Sequence, residues 1–261
     1  APDVTWQKLE ASIPNLAHPV VQVSAQASGP VQQVLDWVRH SALNEFTEGV
    51  LTKSQASGDA SYKLALTLPI DALEKTQVQG SVTFADNALQ ILAGTPVLQH
   101  TKGVLNFTHE GFDLKSLQAQ VLGGDATLDG GLTFAQLQDA PDQALKITGE
   151  LTADGLRQAR ELGLVSRIAQ RASGKTHYSV NVGLQRGRPH LLIESDLKGM
   201  ALTLPSPLNK TSAAKMPLRI ATGLTKESLD PKSRTLQDQI SVTLDRWVSV
   251  QYVRDVSGPR P

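Results

Sequence analysis

Hydrophobic residues at every second position, repeated in short runs along most of the chain, are what most limits the folds open to this sequence. Tyr62, Leu64, Leu66 and Leu68 alternate with polar residues until Pro69. Val78-Gly80-Val82-Phe84, Leu89-Ile91, Gly103-Leu105-Phe107, Phe112-Leu114, Leu117-Ala119-Val121 and Ala126-Leu128-Gly130-Leu132-Phe134 do the same. A period of two sends each apolar set to one side of a strand. Asp86-Asn87, Gly94-Thr95-Pro96, Glu110-Gly111, Gly123-Gly124 and Gly130-Gly131 separate the runs, and these residues supply turns or positive φ. The chain therefore reads as mainly β: an antiparallel meander forming a curved, repeated sheet, either an open groove or a half-barrel. One side is apolar and the other carries Thr, Gln, Ser and Lys, so the sheet is wet on one side.

Two amphipathic segments interrupt the strands. After the strand Val21-Val23-Ala25-Ala27, Gly29-Pro30 opens a helix with Val31, Val34, Leu35 and Val38 on one face, ending near His40, and Leu43 to Leu51 extends it by a turn or two. After the strand Leu145-Ile147-Gly149-Leu151, Asp154 is placed to cap a second helix carrying Leu156, Leu162, Leu164, Val165, Ile168 and Ala169. Each helix is followed by a Ser-Gly turn and another strand. Ser57-Gly58 with Tyr62-x-Leu64-x-Leu66 matches Ser173-Gly174 with Tyr178-x-Val180-x-Val182 at a constant offset of 116, which marks an internal repeat. The organisation that follows is a lead-in strand and loop at 1–20, a first β repeat at 21–144 with its helix at about 30–50, a second β repeat at 145–252 with its helix at about 154–171, and a disordered tail at 253–261.

Ser195 to Ile220 is the most irregular stretch. The apolar phase moves from odd positions (Leu191, Ile193, Leu197) to even ones (Met200, Leu202, Leu204), which predicts a bulge at Lys198-Gly199. Pro205-Ser206-Pro207 removes two ladder donors and should leave the sheet before Met216-Pro217-Leu218-Arg219-Ile220 rejoins it. Further on, Asp230-Pro231 marks a turn, and Asp245-Arg246-Trp247 divides two runs of one parity, as one long strand or a hairpin.

Several function classes are disfavoured. The chain has 261 residues and balances 25 basic against 25 acidic side chains, so no overall field attracts nucleic acid, and Arg186-Gly-Arg188 reads as an ordinary turn. With no cysteine there is no disulfide, thiol catalysis or thiolate metal site. No run reaches the roughly 18 residues needed to span a bilayer. Ser212-Ala-Ala-Lys215 has the S-x-x-K spacing but lacks partner motifs, and reads as a loop. His100 and His109 fall in neighbouring strands without a ligand array, and Gly123-Gly124-Asp125 with Asp129-Gly130-Gly131 occurs once where calcium repeats need tandem copies. Asn106-Phe-Thr108 and Asn209-Lys-Thr211 satisfy the glycosylation pattern, which matters only on a eukaryotic secretory route. No catalytic residue, metal or cofactor is expected.

Ser195-Asp196-Leu197-Lys198-Gly199, Leu204-Pro205-Ser206-Pro207-Leu208-Asn209-Lys210 and Pro217-Leu218-Arg219-Ile220 resemble a passage in the AsmA-like envelope proteins of the YhdP type. Ala85-Asp86-Asn87-Ala88-Leu89-Gln90, the Gly103 to Phe112 hairpin, Leu122-Gly123-Gly124 and Arg171-Ala172-Ser173-Gly174 with Tyr178 are similar too. The resemblance implies a middle portion of a Gram-negative periplasmic protein, anchored in the inner membrane by a helix outside this chain, whose curved sheet carries phospholipid toward the outer membrane. Leu64, Leu66, Val82, Phe84, Leu128, Leu132, Val180, Val182 and Leu202 are the candidates for contact with acyl chains. The alternative is a structural or protein-interaction module of the envelope that joins neighbours through its sheet edges and binds no lipid.

Overall fold

The structure is a computed structural model and describes residues 4–15, 19–40, 50–92, 94–133, 144–185, 188–230, 233 and 236–257. The chain divides into two compact units, Ala1–Gln120 and Val121–Pro261, earlier than the 144/145 boundary read from the repeat.

The first unit holds β1 (Thr5–Ser12), β2 (Val20–Pro30), β3 (Gln55–Ser57), β4 (Asp59–Pro69), β5 (Gln77–Gln90), β6 (Leu98–Thr108) and β7 (Gly111–Val121). Its strands lie side by side in the order β1-β2-β4-β5-β6-β7, all antiparallel, with β3 against the far end of β5. Short connections such as His109-Glu110 allow only antiparallel neighbours. The second unit holds β8 (Gly124–Thr133), β9 (Leu145–Thr152), β10 (Ala172–Gln185), β11 (Arg188–Ser195), β12 (Met200–Leu202), β13 (Leu218–Leu224), β14 (Gln237–Leu244) and β15 (Val248–Asp255). Here the order is β8-β9-β10-β11-β13-β14-β15, and β12 pairs with the start of β10. The meander expected from the period-2 runs is therefore present in both units.

Four short helices sit among the strands: α1 (Val31–Arg39), α2 (Ala153–Gln158), α3 (Leu164–Ile168) and α4 (Lys226–Leu229). The first begins directly after Pro30, and the Val31 N–H donates to the Gly58 carbonyl at 3.0 Å. Positions 41–49 of the expected extension lie outside the described residues, and Val50–Lys53 is a 3-10 turn. The second helical segment differs from its expected form. Thr152, not Asp154, is the N-cap, its hydroxyl accepting from the Gly155 N–H at 2.9 Å. The segment is also broken at Gly163, with 3-10 turns at Arg160–Leu162 and Ala169–Arg171 flanking α3.

Three expected turns are not turns. Gly130-Gly131 and Ser173-Gly174 lie within β8 and β10. Asp86-Asn87 is a bulge inside β5, which runs unbroken from Gln77 to Gln90 and so takes in Leu89 of the expected separate strand, with Ile91 just past its end. At the irregular stretch the expectation holds: Leu197 and Gly199 have φ of 51° and 94°, and Pro205 to Pro207 lies outside every strand. Asp245 turns a hairpin between β14 and β15, with Arg246 stacked 4.3 Å from the Trp247 ring centroid. Strand β15 reaches Asp255, three residues into the stretch read as tail, because its pairing with β14 continues to Gln237. Phe134, Arg186-Gly187, Pro231 and residues 258–261 lie outside the described residues.

In the second unit a core gathers where the start of β10 meets α2 and β12. Ala153, Ala172, Leu197, Met200, Leu202 and Met216 form a buried cluster there, with Leu151, Leu156, Leu204, Leu218 and Leu244 against it. Met200 is 2% exposed, and a fully buried side chain of this size contributes about 1.5–3 kcal/mol.

Candidate functional site

The pairing registers carry the alternation from strand to strand, so each unit has continuous rows of apolar residues on one face, while Val104 and Leu192 fall on the other. In the first unit Ala25 stands opposite Leu64, Leu64 opposite Gly80, Gly80 opposite Phe107 and Phe107 opposite Phe112. The neighbouring rows are Val23, Leu66, Val78 and Tyr62, Val82, Leu105, Leu114. In the second unit one row crosses seven strands: Leu128, Ile147, Val180, Ile193, Ile220, Val242 and Val250. Beside it run Leu145, Val182 and Leu191. The opposite faces bear exposed Gln22, Ser24, Lys63, Gln79 and Asn106 in one unit and Lys146, Thr148 and Arg219 in the other.

Leu64, Leu66, Val82, Leu132, Val180 and Val182 are half-buried. Their strand neighbours shield their flanks, while α1 packs against β3, and α2 against β9 and β10, at strand ends. Phe84 and Leu128 are buried. Leu202 is placed differently from the others: it stands on β12 in the buried cluster. Leu64, Leu66, Val82 and Phe84 thus share the face of the first unit, and Leu128, Val180 and Val182 share that of the second. Ile147, Ile193, Ile220 and Val242 join the row of Leu128 and Val180 beyond the sequence candidates: their alternation is visible in the chain, but their register to Val180 needs the pairing.

Two arginines fix the helix-bearing ends. The Arg39 guanidinium donates to the Leu51 carbonyl at 3.0 Å and to the Ser54 carbonyl, and pairs with Asp36 at 2.7 Å. Arg157 donates to the Ala169 and Ala172 carbonyls at 3.1 and 2.9 Å and pairs with Asp154. The planar guanidinium suits such multiple donation.

The catalytic candidates do not assemble. Lys215 pairs with Asp196 at 3.1 Å, and the Ser212 carbonyl accepts from the Gly199 N–H. His100 sits near one end of β6 beside Asp86 and His109 beyond the other end beside Glu110. Among the described residues no cluster of His, Asp and Glu could hold a metal. No described helix is long and apolar enough to cross a membrane.

A sequence model of the family described as YhdP protein matches residues 2–260. The chain belongs to the YhdP family. Searches of curated proteins and of solved structures return no match. Membership agrees with the passages around Ser195 to Ile220 and extends the likeness over nearly the whole chain.

Proposed function

We propose that this YhdP-family chain is a non-enzymatic periplasmic segment that carries phospholipid acyl chains along the apolar faces of its sheet, within a protein anchored in the inner membrane. Family membership suggests lipid transport in the envelope. The observation that carries the reading here is the row from Leu128 to Val250, apolar on seven successive strands. At about 4.8 Å per strand such a row offers a continuous strip to a hydrocarbon chain. Each methylene removed from water is worth about 0.8 kcal/mol, so affinity needs no polar anchor and selectivity among acyl chains is low.

Native mass spectrometry of the protein purified from a membrane-containing bacterial lysate tests this. The expected result is bound phospholipid that is lost in Val180→Lys and retained in Thr148→Lys, on the opposite face. A lipid-free wild type, or equal loss in both variants, overturns the reading. The interaction-module alternative draws on the outer strands, where Trp6, Leu9, Val250 and Tyr252 are exposed on β1 and β15. It predicts concentration-dependent self-association without lipid.

A further inference from the structure

The helical segment after β9 presents an apolar surface that the strand rows do not use. Leu164, Val165 and Ile168 on α3 are 62%, 41% and 42% exposed, while Ala169 is buried and holds the segment down. α3 packs on α2 and on the 3-10 turn at Ala169–Arg171, leaving those three side chains outward. Three adjacent exposed aliphatic side chains on one turn cost solvation unless something covers them. Their surroundings indicate what does. Between 160 and 171 the charged residues are Arg160, Arg167 and Arg171 against Glu161 alone, and all four are exposed. Arg157, by contrast, is committed to backbone carbonyls and Asp154. Exposed aliphatic side chains with exposed arginines within the same short segment match an interface of acyl chains under anionic headgroups.

We propose that α3 docks this chain onto an anionic phospholipid bilayer surface, with Leu164, Val165 and Ile168 entering the headgroup boundary and Arg160, Arg167 and Arg171 meeting lipid phosphates. Among the described residues of the first unit the exposed pair Ile70 and Leu73 has a different charge setting, lying beside Asp71 and Glu74 with Lys75 the one basic neighbour. The docking is independent of acyl carriage by the strands, since it uses none of the same residues.

Co-sedimentation of the whole chain with phosphatidylglycerol/phosphatidylcholine vesicles tests it, against phosphatidylcholine alone and at low and high salt. Wild type is expected to bind the mixed vesicles, weakly at high salt. L164S/V165S/I168S should lower the bound fraction at least about fivefold, and R160Q/R167Q by about fivefold per arginine. I70S/L73S should bind as wild type. Unchanged circular dichroism and melting midpoint establish that each variant is folded, and the lipid content of the strand faces, read by native mass spectrometry, should not change. No vesicle binding, equal binding to neutral vesicles, retention in L164S/V165S/I168S, or equal loss in I70S/L73S overturns the proposal. So does a dimer in light scattering that L164S/V165S/I168S abolishes without any vesicle binding, which would make the surface a contact between copies.

Discussion

The corners at Gly58 and Gly174 follow one backbone plan and fill it with different chemistry. Before the glycine, Ala56 and Ser57 pair with Leu89 and Ala88, as Ala172 and Ser173 pair with Leu202 and Ala201. Beyond it the register slips by one residue in the same sense in both, to Ala60 opposite Phe84 and Ser179 opposite Glu194. Both glycines have positive φ, 87° and 91°. In the first corner the Asn87 side chain fills the bulge: it is 1% exposed, donates to the Ser57 and Asp59 carbonyls at 3.1 Å each and accepts from the Ala85 N–H. In the second, buried Met200 follows the bulge, and the Lys210 ammonium donates to the Leu197 and Met200 carbonyls. Burial holds the Lys210 amine below its usual range, with Asp196 partly opposing that. The same bend is therefore held by one buried amide in one case and by an ammonium over apolar packing in the other. What the repeat preserves is backbone geometry, and the polar groups that satisfy it are interchangeable.

Alanine at the two glycines separates the corners most. A Cβ on Gly174 would stand 2.3 Å from the Gly199 carbonyl oxygen, a backbone atom, whereas one on Gly58 would meet the Asn87 Nδ2 at 2.9 Å, the end of a side chain. Both substitutions carry the positive-φ cost of about 1–3 kcal/mol. Gly174→Ala should cost a further ~1–3 kcal/mol because the backbone has to move. Urea unfolding of the two variants measures the difference, and equal losses would show that the corners are not held as described.

Removing the filler is the next largest effect. Asn87→Ala should cost about 2–3 kcal/mol, since it deletes three hydrogen bonds at a buried site. Lys210→Met should cost about 1–2 kcal/mol, because the lysine is partly solvated and its stem is retained. The double variant Gly58→Ala with Asn87→Ala should be less damaging than the sum by about 1 kcal/mol, the relief of the contact between them. Strict additivity would remove Asn87 from the corner's steric account.

These corners also show what could be read from the chain alone. The repeat, the helix after each first strand and the bulge at Gly199 were legible because glycine and phase slips leave marks in a period-2 pattern. Asp86-Asn87 reads as a turn from the chain alone, since Asn favours turns and nothing local shows that its amide reaches carbonyls near thirty residues away. Thr152 and Asp154, two residues on, both suit the N-cap role, and only the hydrogen bond from Gly155 decides for Thr152. For the apolar face, alternation chose the side of each strand, and register decided which residues stand in one row. Leu202 shows the limit: its parity matched, but the slip at Gly199 carried it into the core.

The smallest difference is one of sign. Tyr62 and Tyr178 occupy equivalent places, and burial pushes both phenols up to about 12, with Asp59 adding to it at Tyr62. The Tyr62 hydroxyl donates to the Gly29 carbonyl at 3.1 Å, whereas the buried Tyr178 Oη has no hydrogen-bond partner among the described residues. Tyr62→Phe should therefore cost about 0.5–1.5 kcal/mol at neutral pH, and Tyr178→Phe should be neutral or stabilise by up to about 1 kcal/mol, having lost only an unpaired polar group. The pH dependence follows the raised values. Below the ordinary value of 10.0 both states hold the proton, and between there and about 12 only the folded state does, so stability falls across that window as pH rises. Each Phe variant should flatten part of that fall. Chemical denaturation at pH 7 and pH 11 reads both quantities, and a loss of stability in Tyr178→Phe as large as in Tyr62→Phe would mean that the second hydroxyl has a partner after all.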